Sequence, residues 1–286
     1  MKLLHLILLV LFTFSKLIAP AQTNLKLMTF NVRYDESIFN KGKPKQNDWA
    51  NRKDFQIGLI DFHSPDVVGM QEPHRHQIDY FDEQLSAYKW IGVAREDGKN
   101  EGEFNPIFYR ADKFRVLSSG TFWLSKTPEK VSRSWDAGYT RICSWALFET
   151  LDSTSQFYVF NTHFDSVGKE ARLQSARLLN DTIKSMVENK PVFVMGDFNF
   201  TPDSPAYKEL TSNGLYDSKM KSAKKPYGPE GTFNGFRFGK AQQARIDYIF
   251  VNKQVEVSHY GVLTDFRNKQ FPSDHHPVVI LTNSIQ

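Results

Sequence analysis

Several predicted β-strands end in polar side chains that a hydrophobic core would reject. They are Asn31, Glu72, His163, Asp197 with Asn199, Asp247 and the pair Asp274-His275. Strands aligned in a sheet would bring these side chains to one edge, where catalytic groups commonly collect. Burying one unpaired carboxylate costs several kcal/mol, so the convergence of four indicates a bound cation. A cation beside carboxylates and imidazoles can catalyse the hydrolysis of a phosphate ester.

Each of these residues also has an ordinary structural interpretation. Asn31 could cap a turn, and the segment 196–199 could form an Asx turn. Glu72 precedes a proline and could begin a solvated helix. His163 alone could be a hydrogen-bonded core histidine. It is the occurrence of all these residues in one chain that favours a shared site.

Apolar segments of strand length alternate with segments of helical periodicity, which is the pattern of a mixed α/β domain. The predicted strands are Leu25–Asn31, Val67–Met70, Tyr88–Ala94, Pro106–Tyr109, Phe114–Ser118, Cys143–Thr150, Gln156–His163, Val192–Met195, Arg245–Val251, Glu256–Leu263 and Pro277–Leu281. Helices are predicted at Trp49–Phe62 and Lys169–Val187. The stretch Lys219–Gly239, rich in Lys, Gly and Pro, is predicted to be a long surface loop. No linker separates these elements, so we predict one domain over residues 22–286.

Six short motifs resemble the endonuclease/exonuclease/phosphatase superfamily, which includes deoxyribonuclease I, exonuclease III, bacterial sphingomyelinases, inositol-polyphosphate 5-phosphatases and messenger-RNA deadenylases. The motifs are Thr29-Phe30-Asn31, Gln71-Glu72, Asn161-Thr162-His163, Gly196-Asp197-Phe198-Asn199, Ile246-Asp247-Tyr248 and Ser273-Asp274-His275-His276-Pro277. They occur in the family's order and extend over nearly all of the chain after residue 21. The resemblance implies a four-layer α/β/β/α sandwich, in which helices flank two packed mixed sheets and the site lies at one end of the sheets.

The resemblance also implies roles for the strand-end residues. Glu72 would be the main ligand of a divalent metal ion, with Asn31 and Asp274 close to it. Hard oxygen ligands of this kind suit Mg²⁺, and Mn²⁺ is the usual substitute. Asp197 would position or deprotonate the attacking water, and Asn199 would hold the phosphate.

Two histidines complete the implied site. His275 would contact the scissile phosphate, with Asp247 bonded to its other ring nitrogen to orient it. His163 resembles the second histidine of the deoxyribonuclease I and sphingomyelinase branches, where a glutamate in the position of Glu103 supports it. The chain has no Gly-x-Ser-x-Gly motif, and Cys143 lies within an apolar strand, so we nominate no covalent nucleophile.

The first 21 of the 286 residues have the pattern of a secretory signal peptide, with a lysine, an apolar run and Ala19-Pro20-Ala21 before the cleavage point. Cleavage would leave 265 residues and remove two lysines, lowering the formal charge from +4 to +2. We therefore expect an exported monomer, periplasmic or extracellular, with no stable membrane insertion. A single cysteine excludes a disulfide framework and a cysteine-built zinc site.

The substrate class stays open at this level. The first hypothesis is a secreted nuclease or other phosphodiesterase, with phosphate or base contacts from Arg33, Arg75, Arg141, Arg245 and Tyr109, of which Arg141 and Tyr109 are the preferred phosphate contacts. The alternative is a phosphatase or a phospholipid or sphingomyelin phosphodiesterase, with Phe104, Trp123, Trp135 and Phe236 lining a compact pocket. A charge of +2 lacks the excess expected of a processive duplex binder. A non-catalytic binding protein ranks last, because the predicted metal ligands and histidines are all present.

Overall fold

The computed structural model describes residues 24–39, 45–241 and 244–285, so the predicted signal peptide lies outside the described residues. The strands are β1 (Lys26–Asn31), β2 (Val67–Gln71), β3 (Tyr88–Ile91), β4 (Ile107–Arg110), β5 (Phe114–Trp123), β6 (Ile142–Thr150), β7 (Gln156–His163), β8 (Val192–Asp197), β9 (Tyr216–Asp217), β10 (Asp247–Val251), β11 (Val255–Val262) and β12 (Val278–Ile285). The helices are α1 (Lys53–His63), α2 (Arg75–Gln84), α3 (Lys169–Met186), α4 (Pro205–Ser212) and α5 (Ser218–Lys221). Short 3-10 turns occupy Glu36–Ile38 and Trp49–Asn51.

The strands form two six-stranded mixed sheets. The first has the order β11-β12-β1-β2-β4-β3, and the second has the order β5-β6-β7-β8-β10-β9. In the first sheet β1 runs parallel to β2, and in the second β7 runs parallel to β8, while the other pairs are antiparallel. The central strands are apolar on both faces because each sheet is covered on both sides.

Alternating side chains along the central strands enter different cores. Leu27 of β1 packs in a cluster shared by both sheets, whereas Met28 packs in a second cluster with residues of α1 and α2. In β7, Val159 joins the shared cluster and Phe160 joins a third cluster with residues of α3 and α4. Since successive strand side chains point to opposite faces, this alternation gives the layers helix, sheet, sheet and helix. The predicted four-layer sandwich is confirmed.

The structure departs from the predicted elements in a few places. Helices α2 and α4 were not predicted, and β5 extends five residues beyond the predicted strand, to Trp123. The predicted surface loop Lys219–Gly239 is wrong in part, because Thr232 and Asn234 are fully buried. Their backbone runs beside the segment that carries His275, and Asn234 N donates to the carbonyl oxygen of Asp274 at 2.8 Å.

Candidate active site

Strand register brings the predicted site residues together. In the first sheet, Asn31 at the end of β1 pairs with Gln71 at the end of β2, and Glu72 follows directly. In the second sheet, Asp197 pairs with His163 on one side and with Asp247 on the other. The two sheets therefore present their polar strand ends at one edge of the sandwich, as the sequence predicted.

Two buried amides connect the sheets at this edge. The Nδ2 atom of Asn31 donates to Glu72 Oε1 at 2.8 Å and to Asp197 Oδ2 at 3.1 Å. Asn161 of β7 donates to the carbonyl oxygens of Met70 and Pro106 at 2.7 and 2.9 Å, so it anchors the second sheet to the first. A search of the sequence for residue types that catalyse reactions does not identify this role of Asn161, because its partners are backbone carbonyl oxygens distant in the chain.

Arg33 lies between the predicted metal carboxylates. Its Nη1 atom is 3.7 Å from Glu72 Oε2 and 3.6 Å from Asp274 Oδ2. Burial by itself disfavours the charged form of Glu72, but Arg33 and the hydrogen bond from Asn31 outweigh it, so the pKa of Glu72 is lowered. The pKa of Asp274 is raised, mainly by burial. The surroundings therefore favour the ionised form of Glu72 and the neutral form of Asp274, although both carboxylates face the guanidinium of Arg33.

The donor set fits a hard divalent cation. Glu72, His163 and Asp197 each place one ligand atom within 4.8 Å of the others, and all three side chains are buried. Burial and the nearby charge of Asp247 raise the pKa of Asp197 to about 7. A cation would remove the cost of keeping such carboxylates ionised, and oxygen donors suit Mg²⁺ or Mn²⁺. Glu72, with Asn31 and Asp274 nearby, would hold it.

His275 is oriented by Asp247, as predicted. Its Nδ1 atom lies 2.9 Å from Asp247 Oδ2, and its Nε2 atom lies 3.7 Å from Asp197 Oδ2. Burial disfavours the imidazolium, but the carboxylates of Asp247 and Asp197 outweigh it and raise the pKa of His275 well above its usual value. The raised pKa favours the protonated imidazole, which can donate a hydrogen bond to a phosphate oxygen.

His163 has the opposite electrostatic character. Burial, together with the charges of Arg141 and Arg95, lowers the pKa of His163 well below its usual value. Its Nε2 atom lies 3.0 Å from Asn199 Nδ2, and its buried Nδ1 atom has no hydrogen-bond partner. The surroundings thus favour the neutral imidazole at His163 and the protonated one at His275, as expected when two histidines have different tasks.

The backbone at this edge adopts unusual conformations. Arg33, Glu72 and Asn199 have φ angles of 57°, 74° and 50°, in the left-handed region. Such strain is concentrated at functional sites, where the surrounding structure holds it. At Gly196, with φ of 153°, a Cβ atom would lie 2.0 Å from the carbonyl oxygen of Thr162. Only glycine allows β8 to approach β7 this closely and so to place Asp197.

The site opens into a cavity of about 730 Å³ that contains several predicted residues, among them Glu72, His163, Asp197, Asn199, Asp274, His275 and Arg141. Arg33, Arg95 and Arg141 line it together. Arg141 is 6 % exposed, and its Nε and Nη1 atoms have no hydrogen-bond partner. Buried guanidinium donors normally have partners, so these atoms are positioned for an anionic ligand.

Two predicted roles are wrong. Glu103 lies in the cavity wall but is hydrogen bonded to Arg95 and does not support His163, because two guanidiniums, Arg95 and Arg141, attract its carboxylate more strongly than a neutral imidazole. Tyr109 is not a phosphate contact, because it is buried against Phe148 in the core between the sheets.

Other suggested contacts lie elsewhere. Arg75 pairs with Asp79 on the surface, and Arg245 is buried against Asp217. None of the four aromatic residues suggested for a compact pocket lines this cavity. Its aromatic lining consists of Tyr34, Phe39, Tyr139 and Phe233, with His74 beside them. Loops supply these rings, and a loop carries no periodicity from which its position could be predicted.

Comparison with known proteins decides the family. The model of the endonuclease/exonuclease/phosphatase family matches residues 28–275. The chain belongs to this family. Family members hydrolyse phosphate esters with the help of a divalent metal ion, and the fold described above is that of the family.

Two solved structures of similar proteins align with this chain over nearly their whole length. A family protein from Bacteroides vulgatus is 39 % identical, with a TM-score of 0.86 over 92 % of this chain and 100 % of that one. A mannosyl-6-phosphatase from Bacteroides thetaiotaomicron is 38 % identical, with a TM-score of 0.83 over 90 % of this chain and 99 % of that one. The Ccr4 exoribonuclease subunit of Emericella nidulans is 20 % identical over 90 % of this chain but only 51 % of its own length.

Proposed function

We propose that this protein is a Mg²⁺- or Mn²⁺-dependent phosphatase that removes the phosphate group from a small polar ester such as a sugar phosphate. The observation that carries the proposal is the cluster of buried carboxylates and imidazoles opening into an arginine-lined cavity. The similarity over the full length of a mannosyl-6-phosphatase supports this substrate class. The relative that acts on RNA is less similar and is matched over about half of its length.

The charge of the cavity favours a phosphate monoester over a diester. Arg33 is ion-paired with Glu36, Glu72 and Asp274, and Arg141 lies 3.8 and 3.7 Å from the carboxylates of Glu103 and Asp165. Buried N–H groups of both guanidiniums, two of them on Arg141, make no hydrogen bond. A terminal phosphate carries up to two negative charges and three free oxygens, which matches such donors better than the single charge of a diester. For this reason we place the phosphatase above the nuclease that the sequence favoured.

In the proposed reaction, water attacks phosphorus, the bond to the leaving oxygen breaks, and the leaving oxygen takes a proton from solvent, giving inorganic phosphate and an alcohol. A divalent cation held by Glu72, with Asn31 and Asp274 nearby, would neutralise charge on the phosphate and on the leaving oxygen. Asp197, with a pKa of about 7, accepts the proton of the attacking water near neutral pH.

The other polar groups stabilise the phosphate. His275 donates a hydrogen bond to a non-bridging oxygen on which charge develops, and Asp247 fixes its tautomer and orientation. The amide of Asn199, held by the carbonyl oxygen of Phe164 at 3.0 Å, lies beside the same position. These donors are arranged before the substrate binds, so little reorganisation is needed during the reaction.

The test is a substrate panel with and without metal. Purified protein is assayed for phosphate release from mannose 6-phosphate and glycerol 3-phosphate, and for cleavage of plasmid DNA, RNA and sphingomyelin. We expect phosphate release in Mg²⁺ or Mn²⁺ and none in excess EDTA. Efficient cleavage of DNA or RNA without phosphate release from the small esters would overturn the proposal in favour of the nuclease.

We also propose that the enzyme is exported, on the strength of the signal-peptide pattern in residues 1–21. Within the described ranges, no helix is both long and apolar enough to cross a membrane. Expression in a bacterial host followed by N-terminal sequencing should give a chain that begins at Gln22. An intact N-terminus on a protein that stays in the cytoplasm would contradict export.

A further inference from the structure

Tyr139 exposes an aromatic ring in a cavity that is lined by charged side chains and by the rings of Tyr34, Phe39 and Phe233. The residue is 48 % exposed and lines the cavity together with Arg141 and Glu103. Its ring centroid lies 5.6 Å from the guanidinium carbon of Arg95 and 5.3 Å from that of Arg141. An exposed ring beside a reaction site offers a flat apolar surface to whatever group binds there.

The loop that carries Tyr139 is held rigidly. The carboxylate of Asp165 is buried and accepts the backbone N–H groups of Gly138 and Tyr139, each at 3.0 Å. The same carboxylate accepts the N–H groups of Val167 and Gly168, at 3.0 and 2.7 Å. One side chain therefore ties the loop before β6 to the segment after β7, and the backbone that carries the ring is held in place before any ligand binds.

Charged hydrogen-bonding groups surround this ring. Arg95 donates from Nε to Glu96 Oε1 at 3.0 Å and is also bonded to Glu103. The carbonyl oxygen of Arg95 accepts a hydrogen bond from Trp123 Nε1 at 2.8 Å, which anchors this loop to the second sheet. Donors and acceptors in fixed positions around an apolar surface match a pyranose, whose C–H face is apolar and whose rim carries hydroxyl groups.

We infer that the cavity contains a subsite for the leaving group of a hexopyranose phosphate, with the sugar ring against Tyr139 and its hydroxyl groups against Arg95 and Glu96. This inference rests on the proposed function and names the part of the substrate that is not phosphate. Tyr139 is then a specificity-determining residue: it binds the ring and takes no part in the bond changes at phosphorus. Arg141, whose guanidinium carbon lies 5.3 Å from the centre of this ring, lines the same cavity as the catalytic cluster and has two N–H groups without a hydrogen-bond partner.

A nucleotide is the competing ligand for an exposed aromatic ring. A base stacks on aromatic side chains through its flat face, whatever its sequence identity. The groups beside Tyr139 are two arginines and two glutamates, which suit the several hydroxyl groups of a hexose better than the broad apolar face of a base. The sugar is therefore the ligand that we test, and the nucleotide is one of the outcomes.

The experiment compares Tyr139→Ala with Tyr139→Phe on three esters: mannose 6-phosphate, glycerol 3-phosphate and adenosine 5′-monophosphate. We expect Tyr139→Ala to raise KM for mannose 6-phosphate about tenfold, with kcat and the glycerol 3-phosphate reaction changed less than about twofold, because only ring binding is lost. Tyr139→Phe keeps the ring and should behave like the unmodified protein. Tyr216→Ala, at a ring 43 % exposed on β9 outside this cavity, is the matched control.

Three results would overturn the inference. They are an unchanged KM for mannose 6-phosphate in Tyr139→Ala, an equal loss on glycerol 3-phosphate, and a rise in KM confined to the nucleotide. If the unmodified protein hydrolyses none of the esters, the proposed function fails, and the subsite is then tested by calorimetric binding of mannose 6-phosphate. Weaker binding to Tyr139→Ala than to Tyr216→Ala would support the subsite even then, and equal binding would refute it.

Discussion

Arg52 and Gln56 donate hydrogen bonds to the same two carbonyl oxygens, those of Val32 and Pro272. Arg52 Nη1 lies 2.8 and 3.0 Å from these oxygens, and Gln56 Nε2 lies 2.7 and 2.8 Å from them. Val32 follows Asn31, and Pro272 lies two residues before Asp274. Two buried side chains around the start of α1 therefore fix the two loops that carry predicted metal ligands.

Substitution of Arg52 is expected to weaken metal binding. Arg52 also reaches the carbonyl oxygen of Asn47 at 2.7 Å, and the single ammonium of Lys cannot span all these acceptors. Arg52→Lys should cost about 2–4 kcal/mol of unfolding free energy and raise the Mg²⁺ concentration needed for half-maximal activity. Urea denaturation and a Mg²⁺ titration measure the two effects. Arg177→Lys, at an exposed arginine, is the control, and equal behaviour of the two variants would refute a role in positioning.

Metal binding should stabilise the protein through Glu72. Mg²⁺ that binds only the folded state at one hundred times its Kd adds about 2.7 kcal/mol of stability. Addition of Mg²⁺ should therefore raise the Tm of the unmodified protein and have little effect on Glu72→Gln, whose activity should fall by about 10²-fold or more. Differential scanning calorimetry and phosphate-release assays give both values. Equal Tm shifts in the two proteins would show that Glu72 is not the main ligand.

The convergence of the polar strand ends was predictable from the sequence, and Arg33 and Arg141 were among the predicted contacts, whereas the rest of the cavity wall was not predicted. Asp197 and His163 end buried strands, and an apolar segment that stops at a polar residue can be recognised from the sequence alone. Tyr139 and Arg95 lie on loops, where only long-range contacts such as the bonds of Asp165 and Trp123 determine their positions.

The two wrong roles have definite physical causes. Tyr109 pairs with Val67 at the end of β2 that is distant from Glu72, and the alternation of side chains alone does not tell which end of a strand approaches the site. The partner of Glu103 depends on competition among charges from separate loops. Among the described residues, Arg95 and Arg141 lie closer to its carboxylate than any histidine does. Neither the position of Tyr109 nor the partner of Glu103 can be predicted from the spacing of residues in the sequence.

Replacement of Asp247 is expected to move the pH dependence of turnover. Because the carboxylate favours the protonated imidazole, Asp247→Asn should lower the pKa of His275, which donates a hydrogen bond to the phosphate. Activity that needs the protonated form is lost as pH rises through this pKa, so the basic limb of the kcat profile should move to lower pH. The rate at the optimum should also fall by about 10²–10⁴-fold. A basic limb at unchanged pH would mean that turnover does not depend on the protonated form of His275.

Gly196 should tolerate no side chain. In Gly196→Ala the new Cβ would meet the carbonyl oxygen of Thr162 at 2.0 Å, so β7 and β8 would have to separate and Asp197 would move with them. We expect a loss of about 2–4 kcal/mol in unfolding free energy and a fall in kcat at saturating Mg²⁺. Gly58→Ala in α1 is the matched control, since a Cβ there meets no atom within 4 Å, and it should stabilise the protein by about 0.5–1 kcal/mol. Denaturation curves should show that the two substitutions change the unfolding free energy in opposite directions. A Gly196→Ala protein with full stability and activity would show that close approach of these strands is not needed to place Asp197.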